Sequence, residues 1–356
     1  MGFQIPARGL CLGGQAMGMD SFFDRALAEA RRVGASDVHL KPGLPPMLRI
    51  AGELRKPVSD ARGAPPPLTR DFLHSLAMSL LTDRRREILE RTGDVIVALP
   101  TAAGARQRVH ISQQRGGIGI SLRLIPPEVP VLDKLGLPAE TRALLEPGAG
   151  FVLVAAGPGQ GRTTTLAAML ADINRRRSAH IVTLEDPVEI LLPAGGGLIV
   201  QREVGLDLPS TAAGLRAAAR QDADVIMLAE LPDGEAAELA LEAAEAGRLV
   251  LAGITAPSPE VALSRVGDLW DPDNRPGLRA RLAAVLRGVL HQRLVPLPRG
   301  KGRTAEGRLL PGPQPLAAEA AASPTAAGDA GTTPAGPTAG AGASPTGDVE
   351  DAAPGD

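Results

Sequence analysis

The spacing of apolar positions changes several times along the chain, and the changes divide it. Phe22, Phe23, Ala26, Leu27 and Ala30 recur at helical spacing, which predicts a helix over 21–32 that Gly34 ends. Residues 36–40 and 46–50 read as short strands, Pro65 to Pro67 as a loop, and 71–81 as a second helix. Residues 95–99, 107–112 and 119–124 alternate with the period of sheet strands. These elements predict a small α/β domain over 20–130, and Pro126 to Pro138 reads as an interdomain connection. Beyond it, strand candidates 151–156, 180–184, 224–229 and 248–254 alternate with helix candidates 163–176, 210–220, 233–246 and 278–293. That alternation predicts a mostly parallel sheet with helices on its faces over 131–310. After about Pro311, Ala, Gly, Pro, Thr and Ser dominate without periodicity, so 311–356 is expected to be a disordered tail.

Composition adds limits. A formal net charge of −2 over 356 residues offers no global attraction to nucleic acid. The single cysteine, Cys11, excludes a disulfide framework and a cysteine-based zinc module. No apolar run reaches the roughly 18 residues of a membrane-spanning helix. A reducing, cytoplasmic setting is the expectation. Residues 1–19 lack the apolar core of a secretory signal and contain Met17 and Met19. They are read as disordered or as an over-extended start, with Cys11 outside the fold.

Three segments carry candidate chemistry. The first is Phe151-Val-Leu-Val-Ala-Ala-Gly-Pro-Gly-Gln-Gly-Arg-Thr-Thr-Thr165, an apolar strand, a Gly/Pro turn and the start of an Ala/Leu-rich helix. This is the context of a phosphate-binding loop, in which backbone N–H groups and a helix N-terminus face an anion. Gly157, Gly159, Gln160, Gly161, Arg162, Thr163 and Thr164 are the candidate nucleotide contacts, Arg162 is also a catalytic candidate, and Thr163 stands where a hydroxyl would hold Mg²⁺. Two positions depart from the usual loop: Ala156 replaces its first glycine, and Arg162 replaces its lysine. The second segment, Asp222 to Glu230, is an apolar strand ending in a carboxylate. Such a strand is expected beside the phosphate loop, where Glu230 could orient or deprotonate the attacking water. The bland alternative is a surface acid at a strand end. The third, Ile181 to Glu189, is an apolar strand that breaks into Glu185, Asp186 and Glu189. It is either a solvated turn or part of a Mg-nucleotide site, with Glu185 catalytic and Glu189 a metal ligand.

These segments resemble the secretion ATPases of type II and type IV pilus systems, most of all the pilus retraction (PilT) family. Gly34-Ala-Ser-Asp-Val-His-Leu40, Gly43 to Arg49 and Gln114 to Gly119 are similar to that family's N-terminal signatures. Thr183-Leu-Glu-Asp-Pro-Val-Glu189 resembles its aspartate box, and Gln201 to Asp207, Leu215 to Arg220 and Leu239 to Glu245 follow in family order. The likeness covers about 20–300. It implies a PAS-like N-terminal domain, a RecA-like ATPase domain, binding of ATP with Mg²⁺, and a hexameric ring with nucleotide between domains. It further implies an inner-membrane pilus platform protein as partner, hence a cytoplasmic protein held peripherally at that membrane, with no direct nucleic-acid contact. Arg106, Arg108, Arg115 and Arg123 alternate on predicted strands. The family reading brings arginines such as Arg115 and Arg123 to the nucleotide phosphate, and the alternative is a solvated strand face.

The departures from the family leave catalysis open. Arginine at position 162 keeps the charge, but its planar fork is bulkier than an ammonium between phosphates. The histidine box, Gly-His-Leu-Val then Leu-His-Thr, reads here Gly247-Arg-Leu-Val and Gly253-Ile-Thr255, with Arg248 and Ile254 in the histidine places. Gly-Glu-Met-Arg-Asp reads Ala229-Glu-Leu-Pro-Asp233. Two functions follow: a slowly hydrolysing motor subunit for pilus retraction and twitching motility, or a non-catalytic pseudo-ATPase that joins or regulates a ring of active paralogues. A type II secretion assembly ATPase ranks last, because its four-cysteine zinc module cannot be built from one cysteine. His39 and Trp270 are read as packing residues.

Overall fold

In the first layer, one apolar helix face after another closes over an antiparallel sheet. The computed structural model describes residues 10–12, 15–17, 19–56, 66–101, 106–126, 128–297 and 303–313. Within the stretch read as lying outside the fold, β1 (Leu10–Leu12) and β2 (Gln15–Met17) pair as a short hairpin with Cys11 opposite Ala16. The tail expected over 311–356 lies outside the described residues from 314 onward.

Helix α1 (Met19–Arg32) buries Phe23, Leu27 and Ala30. It leads into β3 (Ala35–Leu40), β4 (Met47–Ile50) and β5 (Glu53–Arg55). Helix α2 (Arg70–Leu80) starts where the Thr69 hydroxyl accepts from Phe72 N–H. Helix α3 (Asp83–Thr92) ends at Gly93, which adopts φ 79°. Strands β6 (Asp94–Pro100), β7 (Arg106–Gln114) and β8 (Gly117–Leu124) complete a six-stranded antiparallel sheet in the order β5-β4-β3-β8-β7-β6. Phe22 and Phe72 meet edge to face at 4.8 Å between the helices that cover it. His39 sits in this layer with Nδ1 3.1 Å from Ser121 Oγ, and burial holds its pKa below the ordinary value.

Two 3₁₀ turns, Leu132–Lys134 and Ala139–Leu145, lead to the second domain. Its strands are β9 (Gly150–Ala156), β10 (His180–Glu185), β11 (Leu198–Glu203), β12 (Val225–Leu228), β13 (Leu249–Thr255), β14 (Leu286–Pro296) and β15 (Arg303–Pro311). They form one sheet in the order β11-β10-β12-β13-β9-β14-β15, parallel except for β15. All of β9 is buried, as a central parallel strand must be. Helices α4 (Arg162–Arg176), α5 (Thr211–Arg220), α6 (Gly234–Glu245), α7 (Pro259–Asp268) and α8 (Arg275–Val285) cover its faces. Trp270 is buried in one of the two cores so formed.

The structure corrects two expectations here. The helix read over 278–293 stops at Val285, and 286–296 is strand. Leu278 and Leu282 face the core from α8, whereas Val289 and Leu290 are buried on β14 against β9. Gly288 lies where an added Cβ would come 3.0 Å from Leu310 O, a close approach that the β14–β15 pairing requires. Also, β12 is not adjacent to the loop-bearing strand, because β13 intervenes.

Ion pairs join the two domains. Arg85 on α3 meets Glu203 at the end of β11 at 2.5 Å, with both side chains more than nine-tenths buried. The other Glu203 oxygen accepts from Val188 N–H at 3.1 Å and lies 3.8 Å from Arg106. Arg108 on β7 donates to Glu189 at 3.1 Å.

Candidate nucleotide-binding site

Strand β9 delivers the chain into the glycine loop, and α4 leaves it. Gly159 and Gly161 take φ 68° and 86°, a region that side-chain-bearing residues avoid. Ser210, Asp233 and Ser258 cap the helices α5, α6 and α7 with side-chain oxygens, but Gly161 at the head of α4 offers none. The first N–H groups of α4 therefore keep their capacity for an anion. Thr163 and Thr164 lie half-buried in that first turn.

Arg162 is the pivot of the site. It donates from Nη2 to Glu230 Oε2 and from Nη1 to Thr255 Oγ1 at 2.9 Å. Thr255 in turn donates its N–H to Glu230 Oε1 at 3.2 Å, and its Oγ1 lies 3.3 Å from the same oxygen. Thus the end of β13 bridges the intervening position in the sheet and ties the carboxylate after β12 to the loop. Gly253 makes this possible. A Cβ there would lie 2.2 Å from Ala229 O and 3.0 Å from Arg162 Nε. Arg162 Nε is buried and has no partner among the described residues, an unspent donor beside the loop. The sequence assigns Thr255 no role of its own, although it closes Gly253-Ile-Thr255 in the place of the histidine box.

The N-terminal domain reaches the loop through Arg123. A Cβ added at Gly159 would lie 3.2 Å from Arg123 Nη2, and Arg123 Nε is 3.8 Å from Asp37. Arg115 is elsewhere. It occupies the turn between β7 and β8, eight residues from Arg123, which is roughly 26 Å along an extended strand. Within this chain the structure does not bring it to the loop. Gln160 turns its side chain away toward β14, where Oε1 accepts from Leu294 N–H at 2.7 Å.

The acids of the third segment lie at and after the end of β10, which β12 and β13 separate from β9. Glu185 is buried at the end of β10 and accepts from Thr183 Oγ1 at 2.6 Å and Gln201 Nε2 at 3.0 Å. Burial, the largest influence, raises its pKa, while those two hydrogen bonds lower it. Glu189 is engaged by Arg108. Arg248 caps a neighbouring helix by donating to Ala219 O, and Ile254 is buried in the core. Among the described residues no three His, Cys, Asp or Glu side chains gather to hold a metal ion. A divalent ion here would take most of its ligands from phosphate and water, which is the habit of Mg²⁺. The Thr163 hydroxyl, in the first turn of α4, is an oxygen beside the loop that fits such an ion.

The profile of the family described as "Type II/IV secretion system protein" matches residues 17–331. The chain belongs to that family. It is 41% identical over 275 residues to "Uncharacterized protein YggR" of Escherichia coli, covering 77% of this chain and 81% of the relative. It is 35% identical over 286 residues to "Type IV pilus retractation ATPase PilT" of Pseudomonas aeruginosa, covering 80% and 81%. The solved structure of "the Pilus Retraction Motor PilT and Bound ADP" superposes with a TM-score of 0.72 at 36% identity, covering 80% of this chain and 81% of that one. The resemblance to pilus retraction ATPases is thereby established, as is a PilT-like fold of an N-terminal domain followed by an ATPase domain. Among the described residues no helix is long and apolar enough to cross a membrane.

Proposed function

We propose that this protein is a nucleotide-binding subunit of a pilus retraction motor that hydrolyses ATP slowly. The observation that carries the reading is the convergence of three segments on one loop. Gly159 and Gly161 shape it, Arg123 of the N-terminal domain lies against it, and Glu230 faces it from the end of β12. The likeness to a retraction motor solved with ADP supports the same reading. The N–H groups at the head of α4 bind phosphate oxygens, and Arg123 adds positive charge from the adjoining domain. Mg²⁺, when bound, neutralises charge on the phosphates, with the Thr163 hydroxyl as its protein ligand. Glu230 holds the attacking water and takes its proton once Arg162 has released it.

That release separates this site from a fast one. With Arg162 on Glu230, the loop cation and the carboxylate that would orient water neutralise each other. This contact also favours a second reading, a pseudo-ATPase that works inside a ring of active paralogues. In both readings the protomer assembles as a homo-hexamer or mixed hexamer and engages an inner-membrane platform protein from the cytoplasmic side.

The test is titration with a fluorescent ATP analogue and Mg²⁺, followed by steady-state phosphate release. Saturable binding and slow turnover that disappears in Glu230→Gln support the motor. Binding without turnover, alone or with an active paralogue, selects the pseudo-ATPase. No binding at millimolar nucleotide refutes both.

A further inference from the structure

Strand β14 meets the phosphate loop on the flank away from Glu230. Its pairing with β9 sets His291 beside Ala155 and Gln292 beside Ala156, the last residue before the loop. Two amide contacts follow from that register. Gln292 Nε2 donates to the main-chain oxygen of Gln160 at 2.7 Å, and Leu294 N–H donates to the Gln160 side-chain oxygen at 2.7 Å. Each residue's side chain thus meets the other segment's backbone, and the crest of the loop is held at two points.

Gln292 is only 1% exposed, although burial disfavours a polar amide that lacks partners. Its Oε1 has no partner among the described residues, so the bond from Nε2 to the loop is the compensation its placement has. The neighbouring glycine is matched to it. A Cβ at Gly161 would lie 3.0 Å from Gln292 Nε2 and 3.4 Å from Leu294 Cδ2. The peptide bond supplies the link to chemistry. In a planar trans peptide the C=O and the following N–H point in opposite directions. Holding the Gln160 oxygen on β14 therefore aims the Gly161 N–H away from the strand, toward the space over the loop.

We propose that Gln292 and Gln160 form a positioning pair that sets the phosphate loop. Gln160 then acts through the loop's shape and not by touching nucleotide. The inference rests on the nucleotide-binding reading above for its consequence, but its mechanical part is independent of ligand.

The experiment compares wild type with Gln292→Met, Gln160→Met and the double variant, Met keeping the length without the amide. Hydrogen exchange at residues 157–165 is measured without nucleotide, and the Kd for an ATP analogue with Mg²⁺ by titration. Losing one such bond should raise loop exchange and the Kd by roughly 3–10-fold. The double variant should fall short of the product of the singles, since both hold the same crest. Lower thermal stability with unchanged loop exchange means packing alone and overturns the proposal. So does faster loop exchange with an unchanged Kd. If Gln292→Met does not fold, Gln160→Met at its half-buried position decides by the same readings. If wild type binds no nucleotide, the functional reading fails and the exchange data alone decide: faster loop exchange supports the brace, unchanged exchange overturns it.

Discussion

Arg162 at the head of α4 is paired with Glu230 after β12, and Thr255 touches both side chains. A lysine in place of the arginine could offer its ammonium to one carboxylate or phosphate oxygen, but it lacks the fork that spans Thr255 and Glu230 at once. The substitution in this loop therefore changes what the carboxylate is free to do as well as how phosphate is held.

Arg162→Lys should raise steady-state phosphate release about tenfold, equivalent to about 1.4 kcal/mol off the barrier. The gain comes from freeing Glu230 and placing a compact charge at the loop. Turnover equal to wild type under saturating Mg-ATP would show that the Arg162–Glu230 contact does not restrain catalysis.

The junction between domains should be sensitive at Arg85. Removing one partner of a buried pair typically costs about 3 kcal/mol or more, and here Glu203 would keep only Arg106 at 3.8 Å and the Val188 N–H against its charge. Arg85→Met should lower stability by that order in urea unfolding. Adding Glu203→Gln should restore most of it, because the amide oxygen can still accept from Val188 N–H. A single variant as stable as wild type would mean that the pair is offset by its own desolvation.

Glu185 should give stability a pH dependence. Burial raises its carboxyl above the ordinary 4.5, so in the window above that value the folded state holds more protons than the unfolded one. Stability from this group is greatest at low pH and falls as pH rises through the folded value. Glu185→Gln, whose amide oxygen can accept from Thr183 and Gln201, should flatten the change in urea midpoint between about pH 5 and pH 8. A wild-type and variant profile of the same slope would count against a buried, raised Glu185.

The C-terminal boundary of the fold can be tested by two truncations. Pro311 lies opposite Gly288, and Gly312 N–H donates to Arg287 O at 2.9 Å. Ending the chain after Pro313 should leave the melting temperature unchanged. Ending it after Leu310 removes that bond and should cost about 1 kcal/mol. Equal melting of both would place the boundary earlier than β15 suggests.

Local pattern was enough for the parts of this protein whose signals lie within a few residues. The glycine turn between a fully apolar strand and a helix must be a loop that offers N–H groups, wherever the rest of the chain goes. The alternating runs that become β6, β7 and β8 likewise carried their own period. The spacing of Leu278, Leu282, Leu286, Val289 and Leu290 fits a helix as well as it fits a helix followed by a strand. What decided it was the free hydrogen-bonding edge of β9, which β14 fills in parallel register. The site divides in the same way. Arg162 was recognisable as the wrong residue for its loop from sequence alone. Glu230 was legible as an acid expected near the loop, but its pairing with Arg162 was not, and neither was that of Thr255, because they lie 68 and 93 residues away and meet Arg162 only through the sheet order. The contact of Arg123 with the loop depends on how one domain docks on the other. Gln292 was hidden for the same reason, since a glutamine between His291 and Arg293 acquires meaning only from the backbone oxygen it is placed against.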